Sequence, residues 1–175
     1  MRFTINQEIR APLGAVEAAF VDPGFYAALG DMDALAPPEI LDQRVDPGDP
    51  EVVHLKIRYR FVGNLSPAVK VFLDPSKLVW IDHSTFRRAA HMIDFDMVAE
   101  HYPDRLRCQG TYRFVQDPAD PDLTHQVLEG DVTVVWAVAA PLVERAIISG
   151  LTQHLVQEAA LVASWAGRPA SPVQA

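Results

Sequence analysis

Apolar and polar positions alternate along most of the chain. Residues 3–9 alternate in this way, and Gln7 is the one polar residue on their apolar side. Such alternation is typical of a strand with one buried face. Similar segments follow one another between Glu39 and Trp136, which predicts an antiparallel meander. The turn-forming clusters that separate them are Asp46–Pro50, Gly63–Pro67, Asp74–Lys77, Arg87–Ala90, Tyr102–Asp104 and Asp117–Asp122.

Two helical regions flank this meander. Pro12 suits the first turn of a helix, where a missing N–H has no cost, and the helix is predicted to cover about Leu13 to Val21. A second short helical turn spans Phe25 to Leu29, and Gly30 to Pro38 is a predicted loop. After Pro141 the apolar spacing changes to three or four residues, which predicts a helix to about Trp165. Its apolar stripe is Val143, Ile147, Leu151, Leu155, Ala159 and Val162.

Hairpin geometry predicts which strand residues face inward. Directly opposed residues of an antiparallel pair lie on the same face of the sheet. Loop lengths oppose Phe95 with Tyr112, Phe86 with His91 and Gly110 with Gly130, and these registers give one apolar and one charged face. The predicted inner face is Val53, Leu55, Ile57, Tyr59, Phe61, Val69, Val71, Leu73, Leu78, Trp80, Asp82, Ser84, Phe86, His91, Ile93, Phe95, Met97, Leu106, Cys108, Gly110, Tyr112, Phe114, Leu128, Gly130, Val132, Val134 and Trp136.

An apolar sheet face has to be covered, and the long amphipathic element left for this is the C-terminal helix. We therefore predict an α+β fold. A curved antiparallel sheet of about seven strands wraps around the C-terminal helix, with short helices after the first strand. The opposed glycines Gly110 and Gly130 either bend the sheet or remove volume from its inner face. One domain is predicted over residues 1–167, with a flexible tail at 168–175.

Composition narrows the possible partners. The 175 residues suit one domain, and a formal net charge of −8 without a basic cluster argues against nucleic-acid binding and against electrostatic docking on anionic membranes. One cysteine allows no internal disulfide. The chain lacks a signal-peptide pattern and the ~18 consecutive apolar residues that a membrane span needs. We expect a cytoplasmic protein without stable membrane insertion, either a monomer or a homodimer.

The polar residues on the predicted inner face are the candidates for chemistry. Asp82 is the most informative, because a carboxylate facing a cavity has to be paired or become neutral, and either state could anchor a ligand or move a proton. The alternatives are that Asp82 accepts a bond from a nearby hydroxyl, or that its strand is flipped outward. The candidate catalytic residues are Asp82 and His91.

His154 and Glu158 lie four residues apart on the closing helix and are within contact distance. Glu158 could fix the imidazole tautomer inside a pocket, or the pair could sit at the edge of the apolar stripe in solvent. The six histidines show no metal-ligand spacing, and no phosphate-loop motif is present, so we expect no metal and no cofactor. Cys108 is interpreted as a packed thiol.

The order of these elements resembles the START-like, or helix-grip, superfamily, which includes polyketide cyclases and lipid-transport proteins. The residues that carry the resemblance are Phe3–Ile9, Ala11–Pro12 leading into a helix with Phe20, and Ala140–Val143 opening the last helix. The resemblance implies a cavity between the sheet and that helix, which holds a lipid, a steroid, a polyketide or another hydrophobic molecule.

Three functions remain open at this point. The first is binding, transport or sensing of a small hydrophobic molecule. The second is a cyclase or dehydratase that uses a cavity aspartate and histidine, and the third is an interaction module with a fully packed core. The expected ligand-binding residues are Tyr59, Phe61, Trp80, Asp82, Ser84, His91, Phe95, Met97, Tyr112, Trp136, Leu151 and His154.

Overall fold

The computed structural model describes residues 1–30, 32, 34–136 and 140–167. The predicted tail at 168–175 lies outside the described residues, as do Asp31 and Asp33 of the predicted loop. The strands are β1 (Arg2–Ile9), β2 (Glu39–Asp46), β3 (Asp49–Arg60), β4 (Val79–Arg87), β5 (Met92–Ala99), β6 (Leu106–Gln116) and β7 (Thr124–Val134). The α-helices are α1 (Leu13–Ala19), α2 (Pro23–Leu29), α3 (Pro67–Lys70) and α4 (Ala140–Ala166).

All seven strands belong to one antiparallel sheet. Their order is β1-β7-β6-β5-β4-β3-β2, so the meander from β2 to β7 continues onto β1. The predicted α+β fold, with about seven antiparallel strands, short helices after the first strand and a long C-terminal helix, is confirmed. Consecutive strands pair because short turns return the chain directly alongside itself.

The predicted strand registers are partly correct. Gly110 lies opposite Gly130, as expected. In two other hairpins the pairing is shifted by two residues, since Phe86 faces Ile93 and Phe95 faces Gly110. A shift of two residues keeps every side chain on its predicted face, because side chains alternate with a period of two. The inward and outward assignment of β4, β5 and β6 is therefore unaffected.

The prediction is wrong for the segment before β4. Residues 68–73 were expected to form a strand with Val69, Val71 and Leu73 inward, but Pro67–Lys70 form the short helix α3. Val69 and Leu73 are buried, whereas Val71 is 76% exposed. Pro67 begins the helix, and a spacing of four residues places Val69 and Leu73 on one side. A short apolar run does not distinguish a strand from a helix.

Helix α4 covers the inner face of the sheet. Its residues Ala159 and Val162 pack with α1, α2 and the ends of β3 and β4. Its residues Val143 and Leu155 pack in a second cluster that includes Phe95 and Val132, with Tyr112 partly buried against it. Among the described residues, no helix combines the length and apolarity needed to cross a bilayer.

The opposed glycines accommodate two aromatic rings. A Cβ atom at Gly110 would lie 2.9 Å from Cε1 of Phe95, and one at Gly130 would lie 2.5 Å from Cζ of Phe3. Both phenylalanines are the direct cross-strand neighbours of these glycines. Aromatic rings commonly cover glycines in sheets in this way. The volume that the glycines leave is therefore filled by protein.

Burial of α4 is expected to dominate the stability of the fold. Leu155 is 1% exposed, whereas its neighbour Val156 is 56% exposed. Leu155→Asp should lower the free energy of unfolding by roughly 3–5 kcal/mol, because it removes a packed side chain and buries an unpaired charge. The matched Val156→Asp should change it by less than about 0.5 kcal/mol. Urea denaturation followed by circular dichroism measures both, and equal losses would contradict the observed packing.

Candidate functional site

Asp82 and Ser84 lie on the inner face of β4. They are 6% and 9% exposed, while His83 between them is exposed on the opposite face. The Ser84 hydroxyl donates a hydrogen bond of 2.8 Å to Oδ2 of Asp82, and Oδ1 has no partner among the described residues. Both the inward direction and the bond from a nearby hydroxyl had been considered from sequence. One carboxylate oxygen is therefore buried without a hydrogen-bond partner in the described part of the chain.

Burial changes the protonation of this carboxyl. Desolvation raises the pKa of Asp82 from the ordinary 3.8 to about 7, with a smaller contribution from the charge of Asp96 in the same direction. The hydrogen bond from Ser84 lowers the pKa and offsets part of this effect. A carboxyl with such a pKa is present near neutral pH in both its acid and its base form. It can therefore donate or accept a proton without a large cost.

Two aromatic rings lie next to Asp82. Tyr59 of β3 is directly opposite Trp80 of β4, and their rings stack with centroids 6.0 Å apart and planes 17° apart. Trp80 is two residues from Asp82 and thus on the same face of the strand. Its indole Nε1 is buried without a hydrogen-bond partner among the described residues. A donor and an acceptor that lack partners thus occur on the same strand face.

Helix α4 contributes an imidazole and a second carboxyl. Nε2 of His154 lies 3.4 Å from Oε2 of Glu158, one helical turn further along. Glu158 is 7% exposed and the side chain of His154 is 15% exposed, so the pair is not at a solvated edge of the helix. Nδ1 of His154 is buried and has no partner in the described part of the chain. The pair fits the expected arrangement in which Glu158 orients the imidazole.

Three tyrosines lie near both Asp82 and Glu158: Tyr26 is buried, and Tyr59 and Tyr112 are half-buried. Desolvation raises the pKa of Tyr26, Tyr59 and Tyr112 well above the usual value, and the charges of Asp82 and Glu158 add to this in all three. Both carboxyls, Asp82 on the sheet and Glu158 on α4, therefore act on the same tyrosines. We call this set the interior polar cluster; its members are Tyr26, Tyr59, Trp80, Asp82, Ser84, Tyr112, His154 and Glu158.

Part of the inner face is incompletely covered. At the end near α1 and α2, Val53 and Phe86 are 2% and 0% exposed. Towards the other end, Tyr59, Trp80 and Met97 remain only half-buried, although they point to the same side of the sheet. A fully packed core leaves no accessible surface at such positions. These half-buried side chains therefore adjoin the interior polar cluster.

His91 does not belong to the site, and its predicted inward position is wrong. It ends the turn between β4 and β5 in a left-handed conformation with φ 53°, and its side chain is 48% exposed. Its Nδ1 lies 2.7 Å from Oε1 of Glu17 in α1. The turn contains a short 3-10 segment, Arg88–Ala90, so β5 starts one residue later than loop counting suggested. The histidine that lies among the buried polar side chains is His154.

The remaining predicted ligand-binding residues surround this region at different depths. Phe95 is buried over Gly110, and Leu151 is half-buried in the cluster that α4 forms with the sheet. Phe61 is half-buried and forms an isolated bridge with Leu35. Trp136 packs edge-on against Tyr102 near the start of α4. No described contact joins these four residues to Asp82, so their part in a ligand site stays a prediction.

Tyr26 and Gln126 were missed from sequence. The Tyr26 hydroxyl donates a 2.8 Å bond to the carbonyl oxygen of Phe20, which anchors α2 beside the cluster. Gln126 is 1% exposed opposite Gln7, and its Nε2 lacks a described partner. The strand pattern did place Gln7 inward, which is the signal that could have found Gln126. Nothing in the periodicity of α2 indicates the direction of Tyr26.

Other places in the molecule offer less for chemistry. Among the described residues, no three His, Cys, Asp or Glu side chains come together as a metal site. Burial raises the pKa of Cys108 to about 12, so its reactive thiolate is not formed near neutral pH. Two surface depressions of about 320 and 450 Å3 contain no predicted site residue. They are lined by Pro103–Arg107, Gln109, Asp131, Thr133 and Val135, and by Arg2–Thr4, Glu129 and Gly130.

The raised pKa of Asp82 predicts a pH-dependent stability. The folded state binds the proton more tightly than the unfolded chain, so this contribution is complete below about pH 4 and is lost as pH rises to about 7. The full loss is at most about 4 kcal/mol. Asp82→Asn should lack it, and so should exceed the wild-type free energy of unfolding by roughly 1–4 kcal/mol at pH 8 but not at pH 4. Urea denaturation across this range measures the difference, and a constant offset would contradict the assignment.

No family model matches the sequence, and no curated protein matches it either. Solved structures do match over nearly the full chain. The Zhui aromatase/cyclase from Streptomyces sp. R1128 has a TM-score of 0.63 at 13% identity, covering 96% of this chain and 94% of that one. Norcoclaurine synthase from Thalictrum flavum, a point mutant with a transition state analogue, has a TM-score of 0.62 at 16% identity, with coverage of 95% and 93%.

A third match carries the name of the superfamily. A START superfamily protein from Mycobacterium smegmatis has a TM-score of 0.56 at 18% identity, covering 93% of this chain and 94% of that one. At such identities the likeness concerns the fold and not the site residues. Element order, sheet topology and the position of α4 agree with these neighbours. The chain therefore has the START-like, helix-grip fold.

Proposed function

We propose that the protein binds a small, mainly hydrophobic molecule between the sheet and α4, at the interior polar cluster. The observation that carries this proposal is the combination of half-buried aromatic side chains with unpaired polar atoms on the same inner surface. Tyr59 and Trp80 retain accessible surface on the inner face of the sheet, and Nε1 of Trp80 and Oδ1 of Asp82 lack described partners. Buried polar groups in native proteins are normally satisfied, so their pairing by a ligand is a natural explanation.

The chemistry of the walls fits such a ligand. Apolar walls supply most of the affinity, at about 25 cal/mol per Å2 of apolar surface removed from water. A few polar groups then fix orientation, which is the usual composition of small-molecule sites. Asp82 and Ser84 from β4 and His154 from α4 are the orienting groups in this proposal. If the same region were packed entirely with protein atoms, Trp80 and Asp82 would each keep one polar atom without a hydrogen bond.

Proton transfer on the bound molecule is a second candidate function. Titratable groups on the sheet and on α4 favour this function. Asp82 of β4 has a pKa of about 7, and His154 of α4 lies beside Glu158. The imidazole of His154 could take a proton from carbon next to a carbonyl, while protonated Asp82 donates a hydrogen bond to the carbonyl oxygen. The developing negative charge on that oxygen is thus stabilised. An aromatase/cyclase and a norcoclaurine synthase share this fold, which shows that it can hold enzymes.

Binding is tested by placing a larger side chain on the half-buried inner surface. Met97 is half-buried opposite Asp82, and Val98 lies on the other face of the same strand. Met97→Trp should weaken binding of the neutral fluorescent probe N-phenyl-1-naphthylamine about tenfold or more, because the indole occupies the space. It should leave Tm near the wild-type value, because open space accepts the larger side chain. In a filled core the same change would overpack the site and cost ~1–3 kcal/mol. Val98→Trp is the control and should bind the probe normally.

The contrary result for binding is specific. Absence of probe binding to the wild-type protein, together with absence of a retained small molecule in native mass spectrometry, would overturn the proposal. A large fall in Tm for Met97→Trp would support the packed interaction module instead.

Proton transfer is tested with 2-tetralone in D2O. The wild-type protein should exchange the hydrogens next to the carbonyl faster than buffer alone, as measured by proton NMR. His154→Gln should reduce the exchange rate at least about tenfold, because a general base contributes on the order of 10² in rate. The exposed His83→Gln serves as the control, since it points away from the cluster. Exchange equal to that in buffer would remove this second candidate and leave the binding proposal standing.

A further inference from the structure

The buried charge of this protein is entirely acidic in the part of the chain that the structure describes. Two carboxyls, Asp82 and Glu158, are buried, and the buried residues include no lysine or arginine. Glu158 has His154 at 3.4 Å as a potential cation, whereas Asp82 has a serine hydroxyl on one oxygen and no described partner on the other. A buried carboxylate needs a counter-charge or several hydrogen bonds to remain ionised. Asp82 has neither among the residues that the structure describes.

The rings beside Asp82 suit a positive charge. Tyr59 and Trp80 form a stacked pair next to it, and Tyr112 lies across the sheet in the same cluster. Aromatic rings attract ammonium groups through their quadrupole, and the effect grows where water is excluded. Aromatic rings next to a carboxylate with one unpaired oxygen thus form an arrangement that binds cations. The same wall offers no positive group to a fatty-acid carboxylate or a phosphate.

We propose that the ligand is a hydrophobic amine, whose ammonium group pairs with Oδ1 of Asp82 beside Tyr59 and Trp80. The inference rests on the proposed binding function and names its ligand class. The ammonium supplies the counter-charge that the protein lacks, through a charge-assisted hydrogen bond to the free oxygen. The apolar part of the amine occupies the half-buried surface near Met97 and Leu151. Lipids with acidic head groups are excluded, because they would bring a second negative charge beside Asp82.

Three probes with the same ring system isolate the charge. They are 1-naphthylmethylamine, 1-naphthalenemethanol and 1-naphthoic acid, titrated into the full-length protein by isothermal calorimetry at pH 8. The amine should bind about tenfold more tightly than the alcohol, and the acid should bind more weakly than the alcohol. Asp82→Asn should remove the advantage of the amine. Asp96→Asn removes one negative charge on the outer face of β5 and should retain that advantage.

The pH dependence of the wild-type protein gives a second readout. The amine should lose about tenfold in affinity between pH 8 and pH 5.5, because protonation removes the charge of Asp82, and the alcohol should show a smaller change. Protonation of His154 would act in the same direction, and Asp82→Asn separates the two contributions. The titratable groups around Asp82 are Tyr26 from α2, Tyr59 from β3, Asp96 from β5, Cys108 and Tyr112 from β6, and His154 and Glu158 from α4.

Each outcome decides something. If the alcohol binds and the amine binds no tighter, or if the acid binds as well as the amine, the ligand class is wrong and the binding function stands. An amine preference that survives Asp82→Asn would overturn the role of this residue. If none of the three probes binds while N-phenyl-1-naphthylamine does, the ligand class fails and the binding function stands. The comparison within the wild-type protein decides the ligand class even if Asp82→Asn does not fold.

Discussion

The structure depends on one requirement: the apolar face of a seven-stranded sheet has to be removed from water. Hydrophobic burial is the main favourable contribution to folding, and α4 is the element that provides it here. One helix is narrower than seven strands. At one end α1 and α2 complete the cover, and Val53 and Phe86 are fully buried there. At the other end the cover is thinner, and this is where side chains on the inner face keep accessible surface.

The site follows from this uneven cover. Polar groups in a tightly packed core are selected against unless they are paired. Asp82 and Trp80 each carry one buried polar atom without a partner among the described residues, and we propose that a bound molecule pairs with them. The outer face of the same strands shows the opposite arrangement. Its carboxylates have partners, as when Arg107 makes two hydrogen bonds to Asp96. The contrast between the two faces of β4 and β5 separates structural charges from the candidate functional one.

Alternation of residues was sufficient to predict much of the sheet. It gave the seven-stranded architecture, the cover by α4 and the inward direction of Asp82 and Ser84. It also tolerated errors, since two hairpin registers shifted by two residues without changing any face. The predicted structure is wrong at segments without alternation. Val71 was predicted to point inward on a strand, but it directly follows the helix α3. His91 was assigned to a strand, although it ends a turn.

The sequence by itself determined which side chains share a face, because a strand's period of two and a helix's period of 3.6 are local properties of the backbone. It therefore placed Asp82 on the inner face and His154 with Glu158 on one helix face. Tertiary structure decided which of these faces meet and how closely they pack. The selection of His154 over His91, the entry of Tyr26 and the missing partner of Asp82 depend on contacts between distant segments. Such contacts are set by packing in three dimensions, which no local pattern encodes.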